Sequence, residues 1–339
     1  MLRVGIIGFG GMGKGRLRYY RQIPEARVEA IADVRCAELQ GDEALADLLE
    51  LPPAALRWFD DYRALLASGA VDVVDICLPT YCHREAAVAA LEAGVPVLCE
   101  KPMALTVADC DAMVATCRRT GTFLMVAQCI RFWPEYQYLA DLLHSGEAGK
   151  LLSLRLTRQG PLPGAGRGWM PQARYSGGAI LDLHIHDVDY CQYLLGLPRR
   201  VYAQGGMSSG AEGGYDYVLT NWDYGPGLQV SAAAQWTNLR IPFVARYEAR
   251  FEGAYLDFDS GRKPTLLVYR PGAAVPETPS FAGPDAYENE LRYFLQCVLR
   301  GEEPLRCPPE SSRNAVALVH AAIASIQRQA LVEIAEFAR

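Results

Sequence analysis

The chain has 339 residues, with 33 basic against 39 acidic side chains, a formal net charge of −6, 50% hydrophobic and 21% charged residues. This composition excludes disordered and fibrous classes and suits a globular protein of two domains, at about 100–200 residues each. No Lys/Arg block supplies the electrostatic footprint of a nucleic-acid or anionic-membrane binder, and no apolar run approaches the ~20 residues of a membrane span. A small-molecule partner is left as the expectation.

The opening Met-Leu-Arg-Val-Gly-Ile-Ile-Gly is already a strand pattern with no charged-then-apolar leader, which predicts a cytoplasmic protein. Short apolar, β-rich runs at 3–8, 28–33, 71–77, 95–99 and 123–127 alternate with helical patterns at 14–22, 37–50, 82–93 and 106–120. That alternation predicts a parallel sheet with crossover helices. Several of the runs lack polar alternation, as strands covered on both faces do. Beyond 151 the texture changes to longer Tyr- and Thr-bearing strands at 152–158, 201–207, 217–224, 228–236, 246–251 and 254–258, a pattern that predicts a mostly antiparallel sheet. A helix at 180–195, stopped by Gly196 and Pro198, interrupts it; helices at 287–299 and 313–329 follow, and 160–168 and 208–214 read as loops. Ten cysteines are scattered at 36, 77, 82, 99, 110, 117, 129, 191, 297 and 307 without a Cys-x-x-Cys. Most lie in apolar patterns and read as reduced core thiols.

Gly8-Phe9-Gly10-Gly11-Met12-Gly13 directly follows the first strand and opens a helix. In that context Gly8 makes the tight turn, Gly10 admits a pyrophosphate and Gly13 allows close helix–strand packing, while free N–H groups at the helix start hold phosphate. Twenty residues past Gly13 lies Asp33, whose carboxylate is placed to accept from adenosine ribose hydroxyls and to repel a 2′-phosphate; nearby Arg35 is either a softener of that exclusion or a solvated helix-start arginine. The cofactor expected is therefore NAD rather than NADP. Glu100-Lys101-Pro102 ends the strand at 95–99 on the ligand edge of an open α/β sheet, so Lys101 either reaches a substrate oxygen or is solvated. His83 follows the previous strand and either shapes the cofactor pocket or packs its own helix.

Gly177-Gly178-Ala-Ile-Leu-Asp182-Leu-His184-Ile-His186-Asp187-Val-Asp189 is the densest run of functional side chains. In one helix it aligns Asp182, His186 and Asp189 on a single face. His186 is then a candidate to exchange the hydroxyl proton during hydride transfer, and Asp182 to orient it or bind a neighbouring hydroxyl. A solvated acidic face is the alternative. A metal site is disfavoured because His184 and His186 point to different sides of a helix. His144 and His320 read as structural, and Trp133, Trp169, Trp222 and Trp236 as core or pocket-wall residues.

These pieces, with Gln128-x-x-Arg131-Phe-x-Pro134, resemble the glucose-fructose oxidoreductase, inositol dehydrogenase and rhizopine-catabolism (Gfo/Idh/MocA) family over essentially the whole chain. The resemblance implies an α/β Rossmann domain over 1–126, then a substrate-binding and oligomerisation domain of α+β type over 127–339 on an open, mostly antiparallel sheet, with C-terminal helices able to pack back on the first. It implies Lys101, Asp182 and His186 as catalytic groups. Expected cofactor contacts are Gly8, Phe9, Gly10, Gly11, Met12, Gly13, Asp33, Arg35, Leu78, Pro79, Thr80, His83, Glu100, Lys101 and Gln128. The expected substrate residues are Lys101, Arg131, Trp169, Arg174, Tyr175, Asp182, His184 and His186. His184 departs from the small residue that many relatives carry. The activity expected is hydride transfer between a secondary alcohol of a neutral cyclic polyol or sugar and NAD, without metal, in a homodimer or homotetramer. Arg131 and Arg174 argue instead for a substrate carboxylate. An NAD-dependent glycosidase and a non-catalytic sugar-sensing regulator are the alternatives.

Overall fold

The computed structural model describes residues 1–41, 45, 55–166, 168–208 and 214–338. The chain divides into two units, Met1–Cys129 with Pro284–Arg313, and Ile130–Gly283 with Asn314–Arg339. The expected second domain, 127–339, thus gives up 284–313 to the first unit.

The first unit is built on a parallel sheet of β1 (Leu2–Ile7), β2 (Ala26–Ala32), β3 (Arg57–Phe59), β4 (Val73–Ile76), β5 (Val97–Glu100) and β6 (Leu124–Ala127), in the order β3-β2-β1-β4-β5-β6. This is the doubly wound order, whose reversal between β1 and β4 opens a crevice at the carboxyl ends of the strands. Every residue of β4, β5 and β6 is buried, the acids Asp75 and Glu100 included. Crossovers are made by α1 (Gly11–Tyr20), α2 (Cys36–Gln40), α3 (Tyr62–Ala67), α4 (His83–Glu92) and α5 (Val107–Thr120). Helix α2 covers the start of the expected helix 37–50; positions 42–44 and 46–50 of that expectation lie outside the described residues. Edge strand β3 was missed because its three residues are exposed or half-buried and carry no apolar run.

One buried cluster joins four elements of this unit. The Arg16 guanidinium of α1, about 1% exposed, donates from Nη2 to Glu100 Oε1 of β5 at 2.5 Å and from Nη1 to Glu290 Oε2 of the helix Ala286–Arg300 at 2.9 Å. Its Nε lies 3.6 Å from Asp75 Oδ2 of β4, which also accepts from Tyr20 Oη at 3.0 Å. A buried cation is tolerated only when paired.

The second unit carries a sheet in the order β13-β12-β11-β7-β10-β9-β8-β14, formed by β7 (Leu151–Pro161), β8 (Arg200–Gly206), β9 (Tyr217–Asp223), β10 (Gln229–Thr237), β11 (Val244–Phe251), β12 (Tyr255–Asp259), β13 (Leu266–Tyr269) and β14 (Val332–Glu333). The β7–β10 pair is parallel and the other pairs are antiparallel, so the expected α+β architecture stands. Strands β9 and β10 alternate buried and more exposed positions, one face turned inward and the other outward. Helices of this region are α6 (Pro134–Ser145), α7 (Ala173–Ser176), α8 (Gly178–Asp182) and α9 (Ile185–Leu195); α8 packs on β9 and β10, and α9 on β7. The inner core is aromatic: Tyr136 meets Tyr190, Tyr247 and Phe258 edge-on at ring separations of 4.8, 5.1 and 5.2 Å. The buried hydroxyl of Tyr247 donates to the Glu135 carbonyl at 2.7 Å.

Two ion pairs are sealed in this unit. Arg131 binds Asp189 in bidentate fashion at 2.8 and 2.6 Å, and Arg158 binds Asp187 at 3.2 and 2.8 Å. All four side chains are at most 2% exposed. Removing one member leaves the other charge buried and alone. Arg158→Met is therefore expected to cost about 3–5 kcal/mol in urea unfolding, with Arg158→Met/Asp187→Leu recovering most of the loss. A single variant within about 1 kcal/mol of the parent would contradict this role.

Candidate active site

The glycine turn between β1 and α1 has the geometry its spacing implies. Gly8 holds φ +91°, and a Cβ there would lie 2.8 Å from the Cys77 carbonyl carbon; a Cβ on Gly13 would meet Gly8 O at 2.3 Å. At Gly10 and Gly11 nothing lies within 4 Å of such an atom. The N-terminus of α1 carries neither a side-chain cap nor a first-turn acid, leaving its N–H groups for an anion. The Phe9 side chain is fully buried, edge-on to Trp58 at 5.8 Å, so its part in the cofactor expectation is confined to backbone.

Asp33, just beyond β2, accepts from Phe9 N at 2.8 Å and from Arg35 N and Nε at 2.9 and 3.0 Å. Burial pushes its pKa up, but the Arg35 and Phe9 hydrogen bonds outweigh that and hold it below the usual carboxylate range. Arg35 is folded onto Asp33 rather than free in solvent. The negative charge that disfavours a 2′-phosphate is thereby partly compensated.

Leu78, Pro79, Thr80 and His83 follow β4, Glu100 and Lys101 end and follow β5, and Gln128 follows β6, so all gather at the carboxyl edge with the glycine turn. His83 is buried, with Nδ1 2.8 Å from Pro102 O and Nε2 2.8 Å from Leu78 O. It ties together the turns that follow β4 and β5. Burial pulls its pKa below the ordinary value, against the opposing pull of the two carbonyls. The Lys101 N–H donates to Glu100 Oε2 at 3.3 Å, and its side chain is half-buried. The amide nitrogen of the buried Gln128 has no hydrogen-bond partner within the protein. An open glycine turn, an uncapped helix start and an orphaned buried amide together fit a dinucleotide.

The acidic run of the second unit is not one helix. Ala179 O accepts from both Leu183 N at 3.0 Å and His184 N at 2.8 Å, the latter five residues on, and the chain restarts as α9. This wide turn replaces the regular face that the helical period predicts. Asp182 closes α8 at 8% exposure, and His186 is the one residue between Leu181 and Gln192 that is not buried. Asp189 turns inward to Arg131. His184 is also turned inward: its Nε2 lies 3.0 Å from Thr220 Oγ1, whose own proton goes to Ala232 O at 3.1 Å, so the ring donates from Nε2. Burial, with Arg158 nearby, pushes the His184 pKa down to about 3.

Two expected substrate residues, Arg131 and His184, are thus corrected to structural roles, since a sealed guanidinium and a sealed neutral imidazole have no free surface for a ligand. Arg174 is exposed, stacked 4.6 Å over Tyr175 and bonded to Gln172 Oε1 at 2.7 Å; with Gln172, Ile180 and Tyr215 it lines a cleft of about 610 Å³ whose walls do not include Asp182 or His186. Trp169 and Tyr175 are half-buried. Sequence reasoning missed Arg16, Asp75, Arg158, Asp187 and Glu290. A signal was present for one of them: Asp75 interrupts the apolar Val-Val-Asp-Ile-Cys-Leu, where an acid needs a buried partner.

The sheet order, the glycine turn and the uncapped helix define a dinucleotide-binding domain of Rossmann type. Residues 2–128 match the family model "Oxidoreductase family, NAD-binding Rossmann fold", and residues 136–250 match the "GFO/IDH/MocA C-terminal domain". The chain belongs to the Gfo/Idh/MocA family. It is 28% identical to the myo-inositol 2-dehydrogenase of Thermotoga maritima, with 99% of each chain covered, and 29% identical to the D-xylose 1-dehydrogenase (NADP(+)) 2 of Haloferax volcanii, with 97% and 99% covered. Among solved structures, a probable dehydrogenase from Thermotoga maritima superposes with a TM-score of 0.82 at 26% identity, over 99% of this chain and 100% of that one.

The sealed His184 makes a pH prediction. Unfolded, it titrates near its ordinary value of about 6.5; folded, it stays neutral down to about 3, so between these limits the unfolded state binds more protons and stability falls on acidification. The slope is about 1.4 kcal/mol per pH unit for one proton. His184→Gln keeps a donor for Thr220 without the titration. Its stability deficit against the parent is expected to narrow as pH falls from 6.5 to 5; parallel urea-unfolding profiles would contradict the assignment.

Proposed function

We propose that this protein is an NAD-dependent dehydrogenase that oxidises a secondary alcohol of a neutral cyclic polyol or sugar. The observation that carries the neutral-substrate reading is the bidentate Arg131–Asp189 pair, which removes the arginine best suited to clamp a substrate carboxylate. The inositol and xylose dehydrogenases among its relatives support the same class.

A bound nicotinamide supplies a hydride acceptor at its C4. In the proposed reaction the half-exposed His186 takes the hydroxyl proton of the substrate as the carbinol C–H bond breaks, leaving a ketone or lactone. Lys101 hydrogen-bonds the same oxygen and stabilises the charge that develops on it. Asp182 binds a neighbouring hydroxyl or holds the imidazole in orientation. In the reverse direction His186 returns the proton. Asp33 selects NAD through the ribose hydroxyls, and Arg35, by compensating its charge, keeps that selection modest.

All ten cysteines are free thiols, which supports a reducing, cytoplasmic setting, and no helix among the described residues is long and apolar enough to cross a membrane. The outward face of the second sheet presents Tyr217 and Leu219 at 51% and 42% exposure, a surface suited to two-fold self-association into a dimer or a dimer of dimers.

The test is NADH formation on a panel of inositols, aldoses, uronic acids and aryl glycosides. Neutral polyols or aldoses are expected to reduce NAD, with NADP used less well, and Arg35→Ala to widen that preference. His186→Ala and Lys101→Met are expected to lose about 10²- to 10⁴-fold in kcat while binding NAD normally. Reduction confined to uronic acids, glycoside cleavage without net NADH, or NAD binding with no turnover on any of the panel would each contradict the proposal.

A further inference from the structure

The cluster around Arg16 is more elaborate than holding the fold requires. One guanidinium faces three carboxyl groups brought from positions 75, 100 and 290, all in the first unit. Glu100 is the branch point: Oε1 accepts from Arg16, and Oε2 accepts from the backbone N–H of Lys101. The chain of contacts therefore runs Glu290–Arg16–Glu100–Lys101, from a C-terminal helix to the lysine at the carboxyl edge of the sheet.

We propose that Glu290 is a positioning residue for Lys101: it holds one amino group of Arg16 while the other holds Glu100, which fixes the Lys101 turn, and when ionised it sets a like charge beside Glu100 and loosens that turn. The inference rests on the reading of Lys101 as the group that stabilises the substrate oxygen.

The charges facing Glu290 make the coupling physical. Arg16 reaches it from α1, Glu100 from β5 and Asp75 from β4, and Tyr287 lies on its own helix with its ring 5.8 Å from the Arg16 guanidinium. Cys77 and Tyr20 complete the surroundings of Asp75. Burial, and then the like charges of Glu100 and Asp75, outweigh Arg16 and push the Glu290 carboxyl up to about 8. One arginine balances one carboxylate, so each further ionised acid adds an uncompensated charge out of water. Its Oε1, buried and without a partner, offers the extra charge no hydrogen bond. Raising the pH through 8 therefore adds a charge on Glu290 that repels Glu100 and pulls on Arg16.

Glu290→Gln retains an oxygen for Arg16 Nη1 and removes the titration. Two readouts are taken from pH 6 to 10. The first is competitive acetylation of the Lys101 amine, followed by mass spectrometry of its peptide, which needs neither substrate nor turnover. In the parent, Lys101 reactivity is expected to show an added step near pH 8 beyond simple amine titration, and in Glu290→Gln that step is expected to be absent. The second is kcat, expected to fall at least threefold above pH 8 in the parent and to stay level in the variant, with values below pH 7 within twofold of each other. A Lys101 step that persists in Glu290→Gln, a parent without one, or a variant whose kcat is lowered equally at every pH would overturn the positioning role. Full activity of Lys101→Met would overturn the reading of Lys101 itself while leaving the labelling step to report on Glu290.

Discussion

A guanidinium taken out of water must be met by carboxylate, and this single requirement organises each unit of the chain. The effective penalty for burying an unpaired ion is several kcal/mol, large against the 5–15 kcal/mol by which a domain is stable. Arg16 in the first unit therefore draws Asp75, Glu100 and Glu290 from three separate elements. In the second unit Arg131 and Arg158 claim Asp189 and Asp187, two residues apart on α9. Such pairs add little net stability compared with apolar residues of the same volume, but they admit one arrangement and penalise the rest.

The same requirement decides which charges of the acidic run are bound to a buried arginine. The stretch from Asp182 to Asp189 offers three carboxylates and two imidazoles. Two of the carboxylates are held by arginines, and His184 is a sealed neutral donor to Thr220. Asp182 and His186 lie on either side of the break at Leu183 and His184 that parts α8 from α9. At the edge of the parallel sheet the logic is complementary: glycine removes side chains where phosphate must approach, and His83 and Glu100 brace the turns through backbone contacts instead of projecting toward a ligand.

Local pattern carried most of the architecture. The strands at 3–8, 71–77, 95–99 and 123–127 were legible because strands covered on both faces are mostly apolar, with the buried Asp75 as an exception. The dinucleotide turn was legible because each glycine has its own steric reason, now visible in the contacts a Cβ would make at Gly8 and Gly13. Pairing across the fold was not legible. Arg131 and Asp189 lie 58 residues apart and Arg16 and Glu290 lie 274 apart, and no local period encodes such a distance. Arg131 therefore read as a substrate residue and Asp189 as sharing a helix face with Asp182 and His186. The break at Leu183 and His184 was invisible for a different reason: the run has the composition of a continuous helix, and only the five-residue step to Ala179 O parts it.

The central claim is that Lys101, Asp182 and His186 serve hydride transfer from a carbinol carbon. The direct measurement uses myo-inositol fully deuterated on carbon, incubated with purified protein and NAD, with the cofactor recovered and its nicotinamide C4 examined by proton NMR and mass spectrometry. The account predicts one deuteron per NADH at C4, delivered to a single face, in amounts equal to the ketone formed, and at least a hundredfold less in His186→Ala. The same outcome from a deuterated aldose, should inositol not react, supports the same chemistry. Ketone formed with no deuterium at C4, or deuterium lost to water while His186→Ala remains fully active, would contradict it.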